Sequence, residues 1–281
     1  MQEPKIALVT GSSSGIGLET ALLFARSGFY TYASMRNLEK SKNIKEKSIR
    51  ENLPLQIIGL DVNQDESVIE AVNKIVKEKN RIDVLINNAG YGLFGALEDL
   101  TIEEIKAQFE TNFFGVVRVT QKVIPVMRNK NQGGIIVNIS SIGGRMSVPF
   151  LSAYNSTKFA LEGLSESISY ELETFGIRVI LIEPGFIRTN IMNSSVLAKK
   201  SNHDSPYFQY TKKIMNHFDS MINNYSASTP PEEVAKIILN AVTSKNPNIR
   251  LTVGNDAASI SQAQRNMTET EFSEMVKKQF G

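Results

Sequence analysis

A doubly wound α/β fold, a parallel sheet of about seven strands with helices on both faces, is what this 281-residue sequence predicts. Three observations predict it. Short apolar runs alternate with longer stretches of helical periodicity almost from end to end, the pattern of strand-helix-strand units. The first apolar run ends in a glycine-rich turn, Thr10 to Gly17, that opens an amphipathic helix. Polar residues able to do chemistry fall at the carboxyl ends of the runs, where doubly wound sheets bind their ligands.

The elements follow in order. Lys5 to Thr10 reads as a first strand, continuous in its apolar residues as a strand buried on both faces should be. A helix near 15–27 presents Ala21, Leu22, Phe24 and Ala25 inward. After the strand Tyr30 to Ser34, a helix near 38–51 interleaves Lys40, Lys42, Lys45, Lys47 and Arg50 with Glu39, Glu46 and Glu51, which marks a solvated face. Strands at Leu55 to Leu60, Val84 to Asn87, Gly134 to Ser140, Arg178 to Glu183 and Ile249 to Val253 are separated by helices near 65–79, 101–128, 152–175 and 231–243. Asn190 to Ser228 breaks the rhythm. It is rich in Asn, Ser and Lys yet carries Met192, Tyr207, Phe208, Tyr210, Met215, Phe218 and Met221, and a long connection with such residues reads as a lid. The stretch after Gly254 has no evident sheet role, and Thr268 to Phe280 reads as a short helix. The whole, 1–281, is read as a single domain with a substrate lid at about 190–228.

Composition narrows the function. With 31 basic and 29 acidic residues the net charge is +2, too slight an excess for a nucleic-acid surface. No cysteine is present, so disulfides and thiolate chemistry are excluded, and the two histidines, His203 and His217, lie outside any carboxylate cluster at ligand spacing, so no metal is expected. No apolar run reaches the eighteen or so residues of a membrane span, and the opening Met1-Gln2-Glu3-Pro4 lacks the basic segment of a secretion signal. A soluble, cytoplasmic protein acting on a small molecule, without nucleic acid or membrane, is the expectation.

Tyr154 and Lys158 lie four residues apart, thirteen residues after Ser141, which closes the strand beginning at Gly134. Residues at that spacing share a helix face, so an ammonium at Lys158 would favour the ionised phenol and bring Tyr154 toward the range of a usable acid. Met146, Val148 and Phe150, just ahead of that helix, are expected on the pocket wall. In the glycine turn, Gly11, Ser13, Ser14, Gly15, Ile16 and Gly17 allow backbone N–H groups to approach a pyrophosphate at the helix N-terminus. The second strand leads into Ser34-Met35-Arg36-Asn37, where Arg36 can hold the extra phosphate of NADP and a carboxylate would repel it. Asp61 with Val62 closes the third strand and either accepts from an adenine amino group or caps the turn; Asn88, Ala89 and Gly90 close the fourth.

Together these marks, with Asn112 in Thr111-Asn112-Phe113-Phe114-Gly115 and the run Pro184-Gly185-Phe186-Ile187-Arg188-Thr189, resemble the short-chain dehydrogenase/reductase family over roughly residues 5–190 and the later helix and strand. The resemblance implies a Rossmann-type fold and NADP-dependent interconversion of a carbonyl and an alcohol. It implies that Tyr154 is the general acid/base, that Ser141 polarises the substrate oxygen and that Lys158 binds the nicotinamide ribose. By the same resemblance Asn112 holds a water of a proton relay, while Pro184, Gly185, Ile187 and Thr189 line the nicotinamide pocket. Ser140 is the rival for Ser141, and the offset to Tyr154 favours the latter. Tyr32 to Asn37 and Ser12 to Gly17 look like the branch of 17β-hydroxysteroid and retinol dehydrogenases, although Ser14 stands where many NADP-preferring members carry a basic residue. The family also implies a homodimer or homotetramer. Two other readings compete: an epimerase or dehydratase of related fold, whose T-G-x-x-G-x-x-G loop is absent here, and a silent NADP-binding sensor, which would usually lack the tyrosine or lysine.

Overall fold

The computed structural model describes residues 3–129 and 133–280; Met1 and Gln2, part of the segment read as no secretion signal, lie outside them. Among the described residues the strands are β1 (Ile6–Val9), β2 (Tyr30–Met35), β3 (Leu55–Gly59), β4 (Val84–Asn87), β5 (Leu93–Phe94), β6 (Gly134–Ile139), β7 (Ile177–Pro184), β8 (Val196–Leu197) and β9 (Arg250–Val253). Seven of them form one sheet, all parallel, in the order β3-β2-β1-β4-β6-β7-β9. The chain steps outward from β1 through β2 to β3, then returns to place β4 on the other side of β1. That reversal is the topological switch point, and the crevice beyond it is where such sheets take ligands.

Alternation along the strands builds two cores. Ala7 and Val9 of β1 join Leu22 and Phe24 of α1 (Gly15–Arg26) with Val234 and Ile238, while Ile6 and Leu8 join Val72, Ile75, Val119 and Val123 on the opposite face. The helices carrying those residues are α3 (Asp65–Lys79), α5 (Gly115–Arg128) and α9 (Pro231–Thr243). The basic stretch forms a 3-10 turn, Leu38–Ser41, and α2 (Lys42–Arg50), with Ile44 buried and its charges outward.

The helix expected near 101–128 is interrupted. Thr101 and Glu104 form a capping box for α4 (Ile102–Phe109), and a π-turn over Glu110–Phe114 precedes α5. The π-turn rotates Asn112 inward, and such turns often mark functional sites. Tyr154 and Lys158 lie on α6 (Ser152–Glu173). The segment at 190–228 is ordered as α7 (Ile191–Ser194), β8 and α8 (Phe208–Asn223). Two elements escaped the sequence reading: the pairing of β5 with β8, and α10 (Asn255–Asn266), which precedes α11 (Glu269–Phe280). No helix among the described residues is long and apolar enough to cross a membrane.

Candidate active site

The glycine turn is locked to the end of β4. Thr10 Oγ1 accepts from the N–H groups of Asn88 (2.9 Å) and Ala89 (3.1 Å), and Asn88 Nδ2 donates back to the carbonyls of Thr10 (3.0 Å) and Gly11 (3.1 Å). Side chains are excluded where the two segments touch. A Cβ on Gly11, whose φ is +69°, would lie 2.8 Å from Ala89 Cα; one on Gly17 would lie 2.4 Å from both Asn88 Nδ2 and the Gly11 carbonyl oxygen. Gly17 therefore serves helix packing and does not reach the cleft wall. Ser14 precedes α1 without a side-chain cap, so the first N–H groups of that helix remain available to an anion.

These loops floor a cleft of about 930 Å³. Arg36 and Lys40 stand at one end, with Asp61 and Val62 nearby. Asp61 also caps its own turn, Oδ1 accepting from Asn63 N at 3.0 Å. Ser141, Tyr154 and Lys158 share the middle wall. Ser141 begins a 3-10 turn, its Oγ accepting from Gly143 N at 3.0 Å, and it hydrogen-bonds the Tyr154 phenol. Ser140 Oγ instead is buried without a partner behind Gly144. The opposite wall is the turn after β7: Gly185 lies against Asp256, whose Oδ2 accepts from Phe186 N at 2.7 Å, and Ile187 bridges to Thr229. Thr189 packs over Gly15. Pro184, Gly90 and Ile16 complete the predicted lining, so apart from Gly17 and Asn112 every anticipated cofactor-binding and catalytic residue reaches the cleft, while Phe150 of the expected pocket wall does not.

The electrostatics correct one expectation. Desolvation raises the Tyr154 phenol above its ordinary value, and the hydrogen bond with Ser141 works against that rise. Lys158 does not sit on the phenol, and its charge does not offset that rise: Nζ donates to the Ile139 carbonyl at 2.8 Å and stands 5.8 Å from the ring centroid. Burial pushes the Lys158 ammonium down to about 8, with the Glu162 carboxylate opposing. At neutral pH the pair is thus a neutral phenol beside an ammonium, the charge state of a proton donor.

Comparison with known proteins identifies the chain. The family model for short chain dehydrogenase matches residues 5–200. The chain belongs to that family. It is an NAD(P)-dependent short-chain dehydrogenase/reductase with retinol dehydrogenase-like relatives. It is 42% identical over 255 residues to the uncharacterized oxidoreductase YusZ of Bacillus subtilis, covering 89% of each chain. It is 37% identical to the 3-ketodihydrosphingosine reductase of Bacteroides thetaiotaomicron (90% of this chain, 88% of the relative) and to retinol dehydrogenase 8 of Bos taurus (88% and 80%). Among solved structures, a short-chain dehydrogenase from Streptomyces avermitilis superposes with a TM-score of 0.84 at 31% identity, covering 99% of this chain and 98% of that one. The NADP-bound structure of ElxO does so at 0.74 and 29%, covering 91% and 99%.

In this dehydrogenase Asn112 sits behind the cleft, 1% exposed. Its amide clasps the backbone of Tyr91, Nδ2 donating to the carbonyl (2.9 Å) and Oδ1 accepting from N–H (3.1 Å), and Nδ2 reaches Thr157 Oγ1 at 3.4 Å. Phe150 is also displaced from its expected place: with φ at +63° it turns off the cleft and stacks on Tyr210, while Met146 and Val148 do line it. Of the lid's aromatics and methionines, Met192 and Phe218 reach the cleft, and Phe208 packs on His203.

Sequence reasoning missed a charge cluster at α6 of the dehydrogenase. Arg250 of β9 binds Glu162 (3.0 Å) and Glu166 (2.6 Å), and Glu183 at the end of β7 lies 3.8 Å away. Burial, then the Glu162 carboxylate, push Glu183 above the usual range. The four-residue step from Lys158 to Glu162 was the available signal, but Arg250 is distant in sequence. Lys40 was legible only as part of a solvated helix.

The value for Lys158 gives a pH prediction. Its folded pKa of about 8 lies below the ordinary 10.5, so between those values the unfolded chain holds a proton that the folded chain has released. Stability from this group therefore rises with pH across that window. Turnover that needs the ammonium runs the other way, holding below about 8 and declining above it. A pH–rate profile for carbonyl reduction checks this, and a profile that stays level well above that value contradicts it.

Proposed function

We propose that this dehydrogenase uses NADP(H) to interconvert a bulky apolar ketone or aldehyde with its alcohol. The observation that carries the reading is the convergence of Ser141, Tyr154 and Lys158 on one wall of a cleft with cations at one end and apolar side chains at the other. The residues fit the cofactor: the side-chain-free cradle at Gly11 and Gly15 and the open N-terminus of α1 suit a pyrophosphate, and Arg36 with Lys40 suits an added phosphate. When bound, NADPH supplies the hydride that reduces the carbonyl carbon. Ser141 holds the substrate oxygen, Tyr154 donates its phenolic proton to that oxygen, and Lys158 keeps a positive charge behind the phenol as it ionises. Asn112 fixes Tyr91 and with it the cleft's rim.

Beyond Tyr154 the walls are Phe94, Met146, Leu151, Phe218 and Ile260, a surface for an apolar body around a few polar groups. The segment at 190–228 acts as the lid over it. The names of the reductase and retinol dehydrogenase relatives, one for a ketone and one for an apolar alcohol, agree with this class. A screen of NADPH oxidation over ketones, aldehydes, steroids and retinoids tests it. Bulky apolar carbonyls should show the higher kcat/KM; preference for small charged substrates contradicts the reading.

A further inference from the structure

Resting on the reaction assigned above, we propose that Phe280, at the end of α11, is the specificity-determining residue that limits how long a substrate the cleft accepts. The cleft runs from the cations past Tyr154 into an apolar chamber, and Phe280 lines it together with Phe94, Met146, Phe218 and Ile260, residues from widely separated stretches of the chain. Phe280 is 5% exposed although its neighbours Lys277, Lys278 and Gln279 face solvent. Phe272, Val276 and Phe280 recur every four residues, so α11 lays one apolar stripe on the chamber's cluster.

This wall is held in place. Its ring meets His217 edge-on with centroids 5.4 Å apart and Phe218 at 6.3 Å. Thr268 and Glu271 cap α11 reciprocally: Thr268 N and Oγ1 both donate to Glu271 Oε2 at 2.8 Å, and Glu271 N donates to Thr268 Oγ1 at 3.3 Å. Gln264 of α10 donates to the Arg145 carbonyl at 2.6 Å, joining the α10–α11 pair to the turn that follows Ser141. Asp256 also lines the cleft, at Gly185, with one carboxylate oxygen accepting from Phe186 N and the other buried without a hydrogen-bond partner, so the hydrocarbon offered to a substrate tail is that of Phe94, Met146, Phe218, Ile260 and Phe280. A fixed apolar end wall measures length, because a hydrophobic pocket distinguishes substrates differing by a methylene by about tenfold or more.

The test uses the full chain as wild type, Phe280→Ala and Phe280→Trp with straight-chain 2-alkanones of roughly six to sixteen carbons. Efficiency is read from NADPH oxidation, and affinity for the same ketones from calorimetry on the NADP-loaded protein. Alanine should move the optimum to longer chains and raise the long-to-short ratio about tenfold; tryptophan should move it to shorter ones. An unchanged optimum in both variants overturns the proposal. If alanine unfolds the protein, as a thermal melt would show, the tryptophan variant decides, and an unmoved optimum there overturns it. Ketones that bind with the predicted length shifts but oxidise no NADPH support the role of Phe280 and refute the assigned reaction, so the two are separable.

Discussion

Tyr154→Phe is expected to lower turnover by about a hundredfold or more while NADPH binding survives, the scale of a lost general acid. The substitution keeps the ring, which packs among the apolar residues beside the cleft, and removes the hydroxyl that Ser141 contacts. The fold should therefore persist, and the deficit should fall on kcat. Steady-state kinetics with an apolar ketone, alongside NADPH titration by fluorescence, checks it. Near wild-type turnover would remove Tyr154 from the mechanism.

Arg36→Ala is expected to weaken NADPH selectively. Hydrogen bonds to a charged group contribute about 1.5–3 kcal/mol, so kcat/KM for NADPH should fall by roughly ten- to a hundredfold while NADH is almost unaffected. Lys40, which lines the same end of the cleft, should retain part of the attraction, and the double variant with Lys40→Ala should lose more. The ratio of efficiencies with the two cofactors is the measurement. Equal losses for both would mean that Arg36 meets no added phosphate.

The central sheet was legible because parallel strands buried on both faces read as unbroken apolar runs, as in Ile6 to Val9 and Ile135 to Val137. The cleft wall carrying Tyr154 and Lys158 was legible because both sit on one helix, where spacing alone assigns a shared face. Spacing does not assign a rotamer, and Lys158 reaches the Ile139 carbonyl instead of settling on the phenol. Helical periodicity likewise cannot show a π-turn, so the inward rotation of Asn112 onto Tyr91 was hidden. The β5–β8 pair has two residues in each strand, joined across about a hundred positions, and leaves no periodic trace. Asp256 against Gly185, Arg250 against Glu162, and Phe280 in the cleft are likewise tertiary facts, fixed by where β9 and the following helices fold back over the site.

Deuterium transfer tests the central claim most directly. Wild-type protein is incubated with NADPH deuterated at the reactive C4 position and a bulky apolar ketone, and the product is read by mass spectrometry. The account predicts an alcohol carrying one deuterium on the former carbonyl carbon, with the hydroxyl proton drawn from solvent through Tyr154. Tight NADPH binding with ketone recovered unreduced and unlabelled would contradict it.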